Sequence, residues 1–384
     1  MRPATLEFLK QRFSEYYRRG VFALPPALEQ REWGFIFFDP AYPAIRMRRH
    51  IGFGSRSETV DYLRTMVPAH AYYSSAYYAA PAAGTMQEKG WAGADLIFDL
   101  DADHIIRVRD YSVMLARVKQ ETEKLLSMLT DELGFHPRSI SVVFSGGRGY
   151  HIHIREIGIR GWSSQERREL VDYICGIGLD PAIVLAAPPG TANGWPSRYR
   201  RALGGFLRWL LAEPKTEAMK YLTAIEGIGD ESAEKILAAG PRLLDELDRG
   251  GDVTVPSGRF MQALAAGRVE GFTTRLRETA ALADEPVTTD IKRLIRMPTS
   301  LHGGSGLRVV PLDAADLAGF DPLVDAVVFG DREVRVEMNM AMTMSMLGNT
   351  YALEKGERIV PEALAVFLAC RGFAEIAGGG RRGS

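Results

Sequence analysis

The sequence predicts an α/β (α+β) protein: a mixed-sheet core drawn from both ends of the chain, with a helical subdomain inserted between them. Three observations carry that expectation. Strand-like runs alternate with helical periodicities through the first 160 residues. From about 160 to 280 the pattern is helical, as in "SSQERRELVDYICGIG", "RALGGFLRWLLAEP" and "RFMQALAAGRV". Strand-like segments then return at "LRVVPL" (307–312) and "AVVFGDREVRVEM" (326–338). The expected boundaries are 1–160 with 282–384 for the core and 161–281 for the insertion.

The elements follow in order. "TLEFLKQRFSEYYRRG" spaces its apolar residues for a helix and ends on Arg18, Arg19 and Gly20. "GFIFF" (34–38) and "AIRMRRHIGF" (44–53) read as strands joined around Asp39, Pro40 and Pro43, and "SETVDYLRTMV" as the next helix. "ADLIFDLDAD" is a strand. It is followed by a polar-faced helix, "YSVMLARVKQETEKLLSMLTDEL", that stops at Gly134. "SISVVFSGGRGYHIHI" places β-branched and small residues on both sides of a glycine turn, as two strands with a tight connection would. "VPEALAVFLACRGF" is the last helix, and "GGGRRGS" reads as a tail.

Composition narrows the function classes. The 384 residues are 46% hydrophobic and 25% charged, as in a globular protein of one large or two ordinary domains. No apolar run reaches the ~18 residues of a membrane helix, and the two cysteines, Cys175 and Cys370, are too few for a disulfide framework. The expectation is a cytoplasmic protein. With 47 basic and 48 acidic residues there is no global field toward nucleic acid. Any such contact falls to local patches, "RMRRH" (46–50) and "RYRR" (198–201), which also read as solvated surface charge.

Chemistry concentrates in three stretches. "DLIFDLDADH" (95–104) sets Asp99 and Asp101 on one face of a strand, since alternate strand residues share a face. Like charges ~5 Å apart cost about 3 kcal/mol at an effective dielectric of ~20. A shared proton or a divalent cation relieves that cost, and hard carboxylate oxygens suit Mg²⁺ or Mn²⁺. The plainer reading is a pair of aspartates ending a strand. "SGGRGYHIH" (145–153) offers backbone amides, a hydroxyl, a forked guanidinium and an imidazole, which suit a triphosphate, or is a glycine-rich hairpin with an arginine. "DEPVTTDIKRLIRMPTSLHGGSGLRVVPL" (284–312) adds Asp284, Asp290, Lys292, Arg293 and Arg296, then "SLH" before a glycine turn.

Together these stretches resemble the small, catalytic subunit of the archaeal and eukaryotic DNA primase, in its archaeal form. The resemblance runs through most of 1–160 and 284–312 and implies the primase catalytic core. It implies that Asp99, Asp101 and Asp284 are the catalytic, metal-holding carboxylates, and that Ser145, Gly147, Arg148, His151, Arg296 and His302 bind the nucleotide. Glu32 in "REWGF" and Arg49 in "RRHIGF" resemble segments that help hold the initiating nucleotide. The implied activity is DNA-templated synthesis of short RNA primers, with DNA primers also open, by two-metal-ion phosphoryl transfer using Mg²⁺ or Mn²⁺. Implied partners are a single-stranded DNA template, nucleoside triphosphates and a primase large subunit in a heterodimer, with no membrane.

Two departures from the family stand out. The interval "HIIRVRDYSVMLARVKQ" carries no cysteine, so no structural zinc is expected, and "HGGSG" lacks the lysine that some members place after the last histidine. A softer feature, "GIGDESAEKIL" (227–237), resembles half of a helix-hairpin-helix or is simply a helix start after a turn. The rival functions are a primase-polymerase of repair, a metal-dependent nuclease, and a non-catalytic nucleic-acid-binding subunit. The last would need no carboxylates.

Overall fold

The computed structural model describes residues 1–39, 47–102, 110–186, 194–250, 253 and 255–377. The loop expected around Pro40 and Pro43, Arg46 of the first basic patch, part of the cysteine-free interval and the tail lie outside the described residues. The chain divides into two compact units. One comprises Met1–Glu123, Phe135–Arg168 and Asp284–Ser384, and the other Lys124–Gly134 and Glu169–Ala283.

The first unit is built on strands β1 (Trp33–Ile36), β2 (Arg48–Ile51), β3 (His70–Ser74), β4 (Ala76–Tyr78), β5 (Trp91–Ala94), β6 (Leu96–Asp101), β7 (Ile140–Phe144), β8 (Gly149–Ile154), β9 (Leu294–Arg296) and β10 (Val310–Leu312). They form two four-stranded sheets, ordered β2-β1-β3-β9 and β10-β7-β8-β6, with β4 and β5 as a separate pair. The α+β class is as expected, but among the described residues the pairings are antiparallel and the strands divide into several small sheets, not one mixed sheet. Segments as short as Leu294–Arg296 have too few residues to display a period of two, so the sequence pattern does not reveal them.

Helix Pro3–Arg19 places Leu9, Phe13 and Tyr17 on one stripe at fourfold spacing. All three are fully buried, in a core with Trp33, Phe35, Leu63 and Tyr73 beneath the first sheet. Phe13 meets Phe38 edge-on at 4.8 Å. Removing a ring from such a site costs about 3–5 kcal/mol. In β6, Leu96, Phe98 and Leu100 are inaccessible on one face, while on the other Ile97 is buried and Asp99 and Asp101 keep partial exposure.

A third sheet, β14-β11-β15, comprises β11 (Glu333–Met338), β14 (Gly356–Pro361) and β15 (Ala374–Ile376), and helix Glu362–Cys370 packs against it. Between β11 and β14 stands a hairpin, β12 (Met342–Met346) with β13 (Asn349–Leu353). Its two-residue turn holds Leu347 at φ 50 and Gly348 at φ 74, the left-handed pair that matches strand twist. Leucine there and the methionine-rich strand explain why no hairpin signal is legible.

The second unit is helical among its described residues. Helix Trp195–Ala212 buries Trp195, Tyr199, Leu203, Phe206 and Leu210 along one stripe. Arg198 of the second basic patch is committed to Glu132, which also accepts from the Tyr173 hydroxyl at 3.0 Å. The "GIG" turn carries Gly227 at φ +90 and leads into helix Asp230–Asp248. No helix of the described residues is long and apolar enough to cross a membrane.

Candidate active site

The β6–β8 pairing sets Asp99 opposite His151 and Asp101 opposite Gly149. A side chain at 149 would collide with the Leu100 carbonyl, so glycine there is what lets the strand carrying the carboxylates approach. His151 Nε2 stands 3.5 Å from Asp99 Oδ1, and Arg148 Nη2 stands 3.9 Å from Asp101 Oδ1. Asp284 enters from the other end of the sequence. Its backbone N–H donates to the Asp99 carbonyl at 3.0 Å, and it begins the short helix Glu285–Thr289.

These carboxylates are electrostatically unbalanced. Burial, then Asp101, then Asp284 push the Asp99 carboxyl up to about 7, against the weaker pull of Arg293 and Arg296. Burial also holds His151 down to about 3, so it stays neutral, and its Nδ1 is buried without a hydrogen-bond partner. Among the described residues, no three His, Cys, Asp or Glu side chains already form a closed metal cage. A hard cation that binds through one or two carboxylates and completes its shell with water and phosphate oxygens fits this donor set.

The glycine turn is fixed from both sides. Ser145 N–H donates to the Gly149 carbonyl at 2.9 Å, and Gly147 N–H donates to Ser145 Oγ at 3.2 Å. The Tyr111 and Ser305 hydroxyls hold the carbonyls of Gly147 and Gly146. Gly146 sits at φ +73, where a Cβ would lie 2.8 Å from the His302 Cβ. His302 Nδ1 accepts from Gly304 N–H at 3.1 Å, which leaves the ring proton on Nε2, facing Gly147. Burial, with Arg296 and His70 nearby, keeps His302 neutral.

Arg296 is positioned by β3. Its Nη1 donates to His70 Nδ1 at 2.8 Å, its guanidinium lies 5.0 Å over the Tyr72 ring, and His70 meets His302 edge-on at 5.0 Å. Asp99, Asp101, Ser145, Gly147, Arg148, His151, Arg296 and His302 thus line one cleft of about 350 Å³. Four arginines, Arg148, Arg293, Arg296 and Arg371, face two aspartates in its walls. Asp284 is close enough to act on Asp99 but is not part of that lining.

Glu32 and Arg49 lie elsewhere in this unit. Glu32 is buried and accepts from Arg49 Nε at 3.0 Å and from His50 N–H at 3.1 Å, with Lys89 Nζ at 3.6 Å. Neither Glu32 nor Arg49 lines the cleft. Asp95, at the head of the aspartate strand, is also neutralised: Arg31 pairs with it at 2.8 Å, the Tyr77 hydroxyl donates at 2.6 Å, and Arg167 donates to its carbonyl at 2.9 Å.

Residues 98–314 match the family described as DNA primase small subunit. The chain is also 58% identical over 377 residues to the DNA primase small subunit PriS of Methanoregula boonei, covering 98% of this chain and all of that one. It is 57% identical over 383 residues to the namesake of Methanosphaerula palustris, covering 99% of this chain and all of its relative, and 48% identical to that of Methanospirillum hungatei over 98% of each. The chain belongs to the DNA primase small subunit family. It is an enzyme, a DNA primase, and its chemistry is nucleotidyl transfer. Divalent-cation dependence is general in that family.

The cleft also contains Tyr72 and Arg371, which the sequence reading did not single out, with His70 behind Arg296, and Arg293, which it named in the third stretch without a role. Tyr72 and His70 sit two apart on β3, on one face, beside β9. The only signal for them is that pairing, which no local pattern discloses.

Proposed function

We propose that this chain is the catalytic subunit of a replicative primase that joins nucleotides on single-stranded DNA, with the cleft of β6, β8 and β9 as its active site. The observation that carries this reading is the convergence of mutually repelling carboxylates and a set of cationic and neutral N–H donors in one cleft. Asp99, Asp101 and Asp284 hold Mg²⁺ or Mn²⁺. Bound there, the cations supply Lewis-acid activation of the attacking 3′-hydroxyl and charge neutralisation at the leaving pyrophosphate.

The chain's own residues do the rest. Arg148 and Arg296 offer forked donors to the triphosphate, which neutralise charge as it grows on the leaving group. Ser145, whose Oγ is held by the Gly147 amide, and the Nε2 proton of His302 present neutral donors on the same wall. His151, kept neutral by burial, can donate to a phosphate oxygen or to Asp99 without adding charge. The buried pairing to Glu32 fixes Arg49, whose partly exposed guanidinium contacts the initiating nucleotide. Sequence choice comes from base pairing to the template, in keeping with a near-neutral chain.

The product is a short RNA primer, with DNA as a second product. The physiological assembly is a heterodimer with a primase large subunit, in the cytoplasm, and no zinc is structural. A nuclease would use the carboxylates but has no need of the triphosphate grip. The test is labelled-nucleotide incorporation on unprimed single-stranded DNA with Mg²⁺ or Mn²⁺, for wild type and Asp99→Ala, with and without a large subunit. Metal-dependent product that disappears in the variant is expected. Wild-type protein that makes none, even with its partner, would overturn the reading.

A further inference from the structure

We infer that Arg371 is a substrate-binding residue that grips the triphosphate of the incoming nucleotide together with Arg148, an inference that rests on the reading of the cleft proposed above.

Arg371 directly follows helix Glu362–Cys370, far in sequence from the three motifs, and its backbone N–H donates to the Phe367 carbonyl at 3.0 Å. Its guanidinium carbon lies 5.5 Å from the centre of the Tyr111 ring and 5.7 Å from that of Phe373. Tyr111 is the residue whose hydroxyl holds the Gly147 carbonyl, so the same ring steadies both the glycine turn and the arginine. Two aromatic rings fix the plane and position of the guanidinium without using its N–H groups.

Arg371 lines the catalytic cleft with Asp101, Gly147, Arg148 and His302. It also lines a second cavity of about 160 Å³ with Tyr111, Met342, Met344, Phe367 and Phe373, and Arg148 is in the walls of both. The two arginines therefore flank one place. Arg148 has Asp101 at 3.9 Å, whereas among the described residues Arg371 forms no salt bridge. Its Nε is buried and has no hydrogen-bond partner. With no salt bridge and no acceptor at Nε, the guanidinium keeps a charge that no protein carboxylate pairs with among the described residues.

The chemistry of that group follows from the surroundings. The charge of Arg371 is felt at His302 and Tyr111, on either side of the Gly146–Gly147 turn. The cleft has two more arginines than carboxylates in its walls, so it suits a polyanion better than a single phosphodiester. Guanidinium forks match paired phosphate oxygens in geometry as well as charge.

The experiment uses the full chain with Arg371→Met, which keeps the apolar stem between the two rings, and Arg371→Lys, with Arg148→Ala for comparison. Affinities for a non-hydrolysable nucleoside triphosphate and for the matching monophosphate are measured, together with kcat, KM and Tm. Arg371→Met should weaken triphosphate binding and raise KM by about tenfold or more, the usual loss for a charge-assisted contact. Monophosphate affinity, kcat and Tm should stay close to wild type, and Arg371→Lys should recover part of the loss. Unchanged triphosphate affinity in Arg371→Met, with Arg148→Ala weakened, would overturn the inference and leave the cleft reading intact. If neither variant weakens binding, the cleft reading itself falls. Equal losses for triphosphate and monophosphate with a lowered Tm would mean that Arg371 only braces the rings, and would also overturn the inference.

Discussion

Two carboxylate centres lie in the same unit of this chain, one fully buried and one half-buried, and they are handled in opposite ways. Glu32 is surrounded by Arg49, the His50 amide and Lys89, whose side chain is as inaccessible as its own. Burial alone would raise the Glu32 carboxyl, yet those partners outweigh it and hold the group below its ordinary value. Asp99 has two further aspartates as its strongest charged influences and is pushed up to about 7. The first centre is electrostatically complete and holds β1 and β2 in place. In the second, burial and the neighbouring aspartates outweigh the pull of Arg293 and Arg296. That imbalance, not burial, sets apart the carboxylates proposed as the reactive centre.

The contrast can be broken most severely by removing a carboxylate from each centre. Asp99→Ala or Asp101→Ala should reduce nucleotide incorporation by about a thousandfold or more, the scale on which metal-ion catalysis contributes. The same variants should leave Tm unchanged or slightly raised, because a repulsion is relieved. Unchanged incorporation would remove these residues from the metal site. Glu32→Ala should instead act on stability, by about 3–5 kcal/mol in denaturant unfolding, since it strands buried Lys89 without its counter-charge. A loss below 1 kcal/mol would show that the pair only breaks even against its desolvation.

Next in size is the triphosphate grip. Arg148→Ala should raise KM for nucleotide by about ten- to a hundredfold with a smaller change in kcat. A KM at the wild-type value would exclude Arg148 from the nucleotide site. Chelation with EDTA should stop synthesis while Tm moves by only a few degrees, the result expected of cations that are catalytic and not structural. A collapse of Tm on chelation would reveal a structural metal.

The last comparison is the pH dependence of stability, whose sign differs between the centres. The Asp99 carboxyl binds its proton more tightly folded than unfolded, so between about pH 4 and pH 7 the native state holds the extra proton. Its contribution to stability therefore declines as pH rises through that window. Glu32 is depressed, so its contribution is present above the ordinary glutamate range and is lost as pH falls through the folded value. Unfolding of the metal-free protein across pH 3–8, wild type against Asp99→Asn, isolates the first term. A difference that grows with pH above 4 is expected, and a flat difference would deny the carboxylate repulsion. Added Mg²⁺ should close the difference at neutral pH.

Much of the site was legible in sequence because its parts are local. Asp99 and Asp101 share a strand face by the two-residue period, and Ser145 to His151 form one turn with its flanking strand. Helix Pro3–Arg19 and the β7–β8 hairpin were legible for the same reason, since each displays a period over enough residues to be read. The short strands β4, β5 and β9 were not, because pairing with a distant neighbour makes them strands.

By itself the sequence determined which side chains share a local face, where the glycines relieve the backbone, and which family pattern the three motifs follow. The tertiary structure alone decided which charges are answered and which are not. Lys89 completes Glu32, Arg31 and Arg167 lock the strand head at Asp95, His70 orients Arg296, and Arg371 reaches the cleft from the end of the chain. The physical reason is range. Periodicity and turn chemistry act over a few neighbouring residues, whereas the field at a buried charge is set by whatever the fold brings within several ångströms, however distant in sequence.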